Sequence, residues 1–91
     1  MNKAELTAAV ADRVGISKQE ANRAVDAVFG CIVDSMKNNE DVRIPGFGSF
    51  VVADRAARTG RNPQTGETMR IEASKQAKFK PGRGLQDTLN L

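Results

Sequence analysis

The chain has 91 residues, which is enough for one domain and too short for two independent hydrophobic cores. It contains one cysteine and no histidine, so it has no intrachain disulfide and lacks the commonest general base and metal ligand. We therefore expect no catalytic residue, no metal site, no cofactor and no small-molecule substrate. A monomer of this size buries only about 60% of the surface that its unfolded chain exposes, so we also expect a partner subunit.

The formal net charge of +3 is unevenly distributed along the chain. Residues 1–54 carry six Lys or Arg and eight Asp or Glu, whereas residues 55–91 carry eight and three. The second half is therefore strongly basic. This asymmetry predicts a polyanionic partner, with nucleic acid favoured over an anionic membrane surface.

The sequence predicts a cytoplasmic protein. The first residues carry charge where a signal peptide requires an apolar run, and no stretch approaches the roughly 18 apolar residues of a membrane span. A single thiol also suits a reducing compartment. We expect no membrane partner.

A short helix is predicted over residues 3–14. Asn2 followed by Glu5 is typical of a helix N-cap and its return partner, and large apolar residues then recur at every fourth position. Gly15 suits the left-handed conformation that ends many helices. A second helix is expected to follow at once.

The second helix is predicted over residues 18–38. Ser17 and Glu20 have the spacing of a capping box, which marks the start of a helix. The helix has one apolar face, and charged residues lie on the other. The candidate core residues on the apolar face are Phe29, Ile32 and Met36.

A β-hairpin is predicted after the second helix. Val42 and Ile44 alternate with charged residues, which is the pattern of a strand, and Pro45-Gly46 has the residues of a type II turn. Phe47 and Phe50 have opposite parity along the next strand, so both can face the core only if Gly48 marks a bulge. Ile44, Phe47 and Phe50 are added to the candidate core.

A long arm is predicted at about residues 53–75. Large apolar residues are sparse there, and a turn-rich cluster over 60–66 lies at its centre. The segment cannot build a core of its own, so an extended hairpin projecting into solvent is the favoured structure. Alternation places Arg55, Ala57, Thr59 and Arg61 on one side of the outgoing strand, and Thr68, Arg70 and Glu72 on one side of the return strand.

The chain is expected to end with a strand and a short helix. Phe79 lies among lysines in the predicted strand, Pro81-Gly82 breaks that strand, and Leu85 and Leu89 indicate a final helix. The predicted fold class is α+β, with two N-terminal helices, a three-stranded antiparallel sheet that carries the arm, and a C-terminal helix. It forms a single domain, 1–91, with a helical part over 1–40, the sheet over 41–80 and the last helix over 81–91.

The arm carries a candidate nucleic-acid site. Arg55, Arg58 and Arg61 recur at every third position, and Asn62-Pro63 follows at the predicted tip. A solvated loop made soluble by charge is the alternative. The pairing of arginines with a proline favours nucleic acid, because guanidinium groups match phosphate oxygens and a rigid apolar ring can enter between base pairs.

A second basic cluster lies near Phe79. No acidic residue occurs between Glu72 and Asp87, which suits a phosphate-contacting surface. Phe79 itself is interpreted as core, as are the other three phenylalanines, rather than as a base-stacking platform. The cations of this cluster are Lys75, Lys78, Lys80 and Arg83.

The sequence resembles the HU and integration host factor family of bacterial histone-like DNA-binding proteins over nearly its whole length. The segments that carry the resemblance are Gly46-Phe47-Gly48-Ser49-Phe50 and Arg55-Ala56-Ala57-Arg58-Thr59-Gly60-Arg61-Asn62-Pro63-Gln64-Thr65-Gly66. Ala73-Ser74-Lys75 and the absence of a charged tail after Leu91 are more similar to the HU branch. Gln86 departs from it, since HU-type proteins often have lysine at that position, and Gly84 weakens the start of the last helix.

The resemblance implies an intertwined dimer, with the helices as its dimerisation base and the sheets as a saddle from which two arms embrace the minor groove of double-stranded DNA. It also implies that the protein binds, bends and compacts DNA in the nucleoid with little sequence specificity. Pro63 would be the wedge, Asn62 and Gln64 the polar groups of the tip, and Arg55, Arg58 and Arg61 the cations of the arm. Lys3, Lys75, Lys80 and Arg83 would be phosphate contacts of the body, and we add Lys78 from its cluster.

Three alternatives remain open from the sequence. A site-specific DNA bender of the integration host factor type would use the same arm and add indirect readout. A protein-binding dimer whose arms engage an acidic partner would bind no plain DNA. The dimer is expected to be a homodimer, with a heterodimer as the alternative.

Overall fold

Three helices and five strands make up the fold, which confirms the α+β class. The computed structural model describes residues 1–91, and these form two compact units, 1–35 and 36–91. The elements in chain order are α1 (Lys3–Val14), α2 (Lys18–Lys37), β1 (Val42–Ile44), β2 (Gly48–Arg55), β3 (Arg58–Arg61), β4 (Thr68–Ile71), β5 (Ser74–Pro81) and α3 (Arg83–Leu89).

Side chains and backbone cap α1 at both ends, as predicted. At its start the Glu5 amide donates a hydrogen bond of 2.9 Å to Asn2 Oδ1. At its end Gly15 adopts the left-handed conformation, with φ of 80°, and its amide donates to the Ala11 carbonyl oxygen at 2.9 Å. Only glycine takes up this conformation without steric cost, which explains why the helix stops here.

The second helix begins at the predicted capping box. The Glu20 amide donates to Ser17 Oγ at 3.1 Å, and the Ser17 hydroxyl donates to Glu20 Oε1 at 3.0 Å. The helix ends at Lys37, one residue before the predicted end. The buried side chains of the first unit lie on both helices, and they are Thr7, Ala11, Ala21, Val25 and Ile32.

The second unit is built on a three-stranded antiparallel sheet in the order β1-β2-β5. The turn between β1 and β2 is the predicted one: the Phe47 amide donates to the Ile44 carbonyl oxygen at 3.0 Å, and Gly46 has φ of 81°. A type II turn requires a positive φ at its third residue, which proline followed by glycine supplies.

The bulge expected at Gly48 is absent. Gly48 pairs with Ile44 on one side and with Pro81 on the other, and the pairing is one residue for one residue. Phe47 lies in the turn, outside the ladder, so the parity of the strand does not restrict its direction. Both Phe47 and Phe50 therefore reach Phe79, with ring centroids 5.3 and 5.1 Å away.

The arm continues β2 and β5 without a change of register. Arg55 pairs with Ser74 at the root, and Arg58 pairs with Ile71 where the ladder resumes as β3 and β4. The step from Arg55 to Arg58 is three residues, and the step from Ile71 to Ser74 is also three, so neither strand has an extra residue. The predicted extended hairpin is confirmed.

The last helix packs against the turn between β1 and β2. The Gly82 amide donates to the Phe47 carbonyl oxygen at 2.8 Å, and a Cβ on Gly84 would lie 2.9 Å from the Gly46 carbonyl oxygen. Gly84 weakens the helix start, but the structure gives its reason, since a side chain there would collide with backbone. The break at Pro81-Gly82 is confirmed.

Candidate nucleic-acid interface

The register is the same on both sides of the interruption at residues 56–57 and 72–73, so it divides both parts of the ribbon, the β2–β5 pair and the β3–β4 pair, into two faces. Residues directly opposite one another in an antiparallel pair point to the same side, and successive residues alternate. Arg55 and Arg61 therefore share a face with their partners Ser74 and Thr68. The same parity extends from the tip of the arm into the three-stranded sheet.

One side of the ribbon, which we call the cationic face, collects most of the basic residues of the sheet and the arm. Its acidic member is Glu72, which comes two residues after Arg70 and whose Oε1 lies 3.0 Å from Arg70 Nε. The basic members are Arg43, Arg55, Arg61, Arg70, Lys78 and Lys80. All six are exposed, as a phosphate-binding surface requires.

The other side, which we call the apolar face, carries the aromatic cluster and the apolar residues of the arm. The tilted rings of Phe47, Phe50 and Phe79 contact one another near the turn, in the geometry that aromatic pairs prefer. On the arm, Ile71 lies close to Gly60, where a Cβ would be 2.8 Å from Ile71 Cδ1. The arm therefore has a small apolar side of its own.

The structure separates residues that the sequence grouped together. Arg58 pairs with Ile71 and lies on the apolar face, whereas Arg55 and Arg61 lie on the cationic face. Lys75 pairs with Asp54 and also lies on the apolar face, away from Lys78 and Lys80. A spacing of three residues reverses the parity of a strand, which explains the division of both sets.

The tip of the arm is a compact turn over residues 62–67. The Gln64 amide donates to Asn62 Oδ1 at 2.9 Å, and the Gly66 amide donates to the Asn62 carbonyl oxygen at 2.7 Å. Gly66 has φ of 73°, so the turn needs a glycine there. Asn62 thus holds the turn from within, and Pro63 and Gln64 stand exposed at its end.

Two further predicted residues lie outside the ribbon and are paired. Lys3 begins α1, and its Nζ lies 2.6 Å from Asp26 Oδ1 on α2. Arg83 begins α3, with its Nε 3.9 Å from Asp87 Oδ2. Both pairs are largely exposed, so each contributes at most about 1 kcal/mol and leaves the cation available to a phosphate.

Arg43 and Arg70 are basic residues that the sequence analysis did not include among the candidate DNA contacts. Arg43 joins the cationic face only through the pairing of β1 with β2, which is not readable from local spacing. Arg70 pairs with Thr59, and its Nε lies 3.0 Å from Glu72 Oε1. The alternation of residues along the two arm strands could have indicated this position, because it already grouped Thr59 with Arg61 on one strand and Arg70 with Thr68 on the other.

The candidate core residues are only partly buried within one chain. Ile32 is 9% exposed, and Met36 and Phe50 are half-buried. The other four are more open: Phe29 is 48% exposed, Phe47 44%, Phe79 40% and Ile44 38%. A single chain therefore leaves a substantial apolar surface in contact with water.

No group of three or more His, Cys, Asp and Glu side chains is placed to hold a metal ion. None of the helices is long and apolar enough to cross a membrane.

A two-stranded ribbon with one cationic face, one apolar face and a proline at its tip indicates a small DNA-binding protein that uses a β-arm. The chain belongs to the bacterial DNA-binding protein family, whose model matches residues 1–90. It is 54% identical over 89 residues to DNA-binding protein HU of Geobacillus stearothermophilus, and the match covers 98% of this chain and 99% of that protein.

Other HU proteins are similar to this chain in sequence and in structure. DNA-binding protein HU 1 of Bacillus subtilis is 52% identical over 89 residues, covering 98% of this chain and 97% of its own. The Anabaena HU–DNA cocrystal structure superimposes with a TM-score of 0.87 at 36% identity, covering 98% of this chain and 97% of that one. HU from Thermotoga maritima gives a TM-score of 0.68 at 28% identity, with 98% of each chain covered.

Proposed function

We propose that this protein is a histone-like architectural DNA-binding protein, which binds and bends double-stranded DNA with little sequence preference and compacts it in the nucleoid. The observation that carries the proposal is the cationic face, which runs from the arm tip to the edge of the sheet. Its cations at the arm, Arg55, Arg61 and Arg70, lie on or next to a two-stranded ribbon narrow enough to follow a groove. The Anabaena relative, an HU protein crystallised with DNA, supports the same partner.

The chemistry of the cationic face favours contact with phosphates over the reading of bases. Arginine and lysine neutralise phosphates and release condensed counterions, which gives affinity without sequence information. Among the residues between these cations on the face, Ala53 and Thr59 are small and Gln76 is the one amide, so the face offers few groups that discriminate base edges. Weak sequence preference follows.

Pro63 is the element that would bend the duplex. It stands exposed at the end of a turn that Asn62 and Gly66 hold in shape. Minor-groove architectural proteins, of which HU is a known example, insert apolar wedges between base pairs and kink the DNA. A proline ring has little rotamer freedom to lose on insertion, so its cost of ordering is small.

The working unit of this proposal is a dimer of two copies, and a heterodimer with a related chain is the alternative. The chain exposes 7480 Å², whereas a compact monomer of 9.8 kDa would expose about 5,200 Å². The extended arm accounts for part of the excess. The rest includes Phe29, Val28 and Val33 of α2, each about half exposed, which a soluble chain covers with a partner surface.

The proposal is tested by a mobility-shift titration with intact, nicked and random linear duplexes at two salt concentrations. We expect all three duplexes to bind, and we expect affinity to fall tenfold or more between 50 and 200 mM salt, because several phosphates are neutralised. Nicked DNA should bind more tightly, since it costs less to kink. A flat salt response would contradict the role of the cationic face, and a strong preference for one sequence would contradict weak specificity.

A further inference from the structure

The outer arm, which we define as β3, β4 and the turn between them, depends on its own two strands for order. The ladder of β2 and β5 ends at Arg55 and Ser74, and β3 and β4 form a separate two-stranded sheet. A two-stranded hairpin on its own is at best marginally stable in water. Any side-chain contact that joins the two strands therefore has a large effect on the order of the outer arm.

One such contact places Ile71 over Gly60. A Cβ at Gly60 would lie 2.8 Å from Ile71 Cδ1 and 3.4 Å from Ile71 Cγ1, so the end of the isoleucine side chain occupies the space that a side chain at Gly60 would need. Ile71 pairs with Arg58, so it reaches Gly60 diagonally across the two strands. Gly60 is the one residue of β3 and β4 that is partly buried. The isoleucine thus shields the backbone of the opposite strand from water.

Met69 provides a comparison within the same sheet. It pairs directly with Gly60 and points to the same face as Ile71, two residues away. No atom of its side chain lies within 4 Å of the Cβ position of Gly60. Met69 is 47% exposed and Ile71 is 37% exposed. Of these two apolar side chains on one face, the isoleucine is therefore the one that packs over Gly60.

A contact that orders the arm before binding raises the affinity for DNA. When a fraction of the free protein has an ordered arm, the apparent dissociation constant equals the intrinsic one divided by that fraction. A cross-strand contact changes the equilibrium between ordered and disordered strands by up to about fivefold. Such a contact strengthens binding without touching the DNA.

We propose that Ile71 is a positioning residue for DNA binding, which packs over Gly60 and raises the fraction of the free protein whose outer arm is ordered. Order in β3 and β4 also fixes where Pro63 stands relative to the cations of the arm. The inference rests on the proposed function, since it concerns the same partner. It goes beyond that function in giving a role to an uncharged residue that lies off the cationic face.

A direct contact between Ile71 and DNA is the competing explanation, because minor-groove proteins also place apolar side chains against the duplex. The two explanations differ in the free protein. Packing over Gly60 protects the backbone amides of β3 and β4 from hydrogen exchange before any DNA is added. A direct contact leaves this protection independent of Ile71.

The test compares Ile71→Ala and Ile71→Val with the parent, by amide hydrogen exchange without DNA and by mobility shifts over 50 to 200 mM salt. We expect Ile71→Ala to lower the protection of β3 and β4 and to weaken DNA binding by up to about fivefold per arm. The slope of log affinity against log salt should stay unchanged, because no phosphate contact is lost. Urea unfolding should also be unchanged, since the outer arm lies outside the buried core.

Two further variants separate the contact from more general effects. Ile71→Val lacks Cδ1 but keeps the strand preference of a β-branched residue, so it should show a smaller loss of the same kind. Met69→Ala is the matched control, since it removes an apolar side chain of the same face that does not lie over Gly60. It should keep the protection and the affinity of the parent.

The inference is wrong if Ile71→Ala weakens DNA binding with unchanged protection, which would show a direct contact, or lowers protection with unchanged affinity. It is also wrong if Met69→Ala loses as much protection as Ile71→Ala, or if Ile71→Val keeps the full protection of the parent. Apolar area or strand preference alone would then explain the results. If the parent binds no DNA, the proposed function fails, whereas hydrogen exchange still reports the packing over Gly60, so the two failures are distinguishable.

Discussion

The ring of Phe79 lies directly over Gly48, because a Cβ on Gly48 would be 2.6 Å from Phe79 Cζ and 2.6 Å from the Lys80 carbonyl oxygen. The absence of a side chain allows Phe79 to reach both Phe47 and Phe50. Gly48 is the one buried residue of β2. The glycine therefore serves the packing of the aromatic cluster rather than the bending of the strand.

We expect Gly48→Ala to destabilise the protein by about 1–3 kcal/mol, because the new methyl group must displace either the Phe79 ring or the backbone of β5. Urea unfolding measures the effect. Gly30→Ala is the matched control: apart from the backbone of its own helix, nothing lies within 4 Å of its Cβ position, and alanine is the better helix former. Equal stability of Gly48→Ala and the parent would contradict the packing role.

A second prediction concerns Glu72, the acidic residue of the cationic face. Glu72→Gln removes its negative charge and the ion pair with Arg70, so we expect tighter DNA binding and a slope against salt that is steeper by up to about 0.9. Asp54→Asn is the control, since Asp54 lies on the apolar face opposite Lys75. An equal gain in both variants would show that net charge alone matters, and that the division into faces does not.

The third prediction separates bending from affinity. Pro63→Ala removes the wedge and leaves every cation in place, so binding to linear DNA should fall only modestly while bending falls substantially. Energy transfer between the two ends of a duplex at saturating protein measures the bend. Arg61→Ala should show the opposite pattern, with lower affinity and a smaller salt slope but a retained kink. A Pro63→Ala protein that bends DNA as sharply as the parent would rule out insertion of this residue.

The fourth prediction concerns the dimer. If two chains share their apolar surfaces, the unfolding temperature must rise with protein concentration, because association stabilises only the folded state. Phe29→Ala, at a position that is 48% exposed in one chain, should then lower the unfolding temperature and strengthen its dependence on concentration. Sedimentation equilibrium provides the direct check. A stable, folded monomer at micromolar concentration would contradict the dimer.

Local chemistry made much of this fold predictable. The caps at Asn2, Gly15 and Ser17 and the turn at Pro45-Gly46 involve residues within a few positions of each other, and the structure places all of them as the sequence indicates. Alternation along one strand also predicted that Arg55 and Arg61 share a side. These features depend on short-range geometry that the order of residues fixes.

Features that depend on the pairing of distant strands were not predictable in this way. Arg43 reaches the row of Lys80 only through Ser49, across two strand pairs. The bulge at Gly48 was expected because Phe47 was taken to be part of the strand. Phe47 lies in the turn instead, so it can face the core without a bulge. The contact between Gly84 and Gly46 likewise joins segments that are far apart in sequence.

The matched lengths of the two arm strands place a constraint on how the chain can change. One residue inserted at Ala56 alone would reverse the side to which each later residue of the outgoing strand points. Arg58 and Gly60 would then lie on the side where Thr59 and Arg61 lie now. The arm would keep the same residues, but its cations would no longer lie together on one face. Lengthening both strands by two residues would preserve it. Variation in arm length within such proteins should therefore occur in paired, even-numbered steps. This constraint comes from the pairing of the strands and does not depend on contact with DNA.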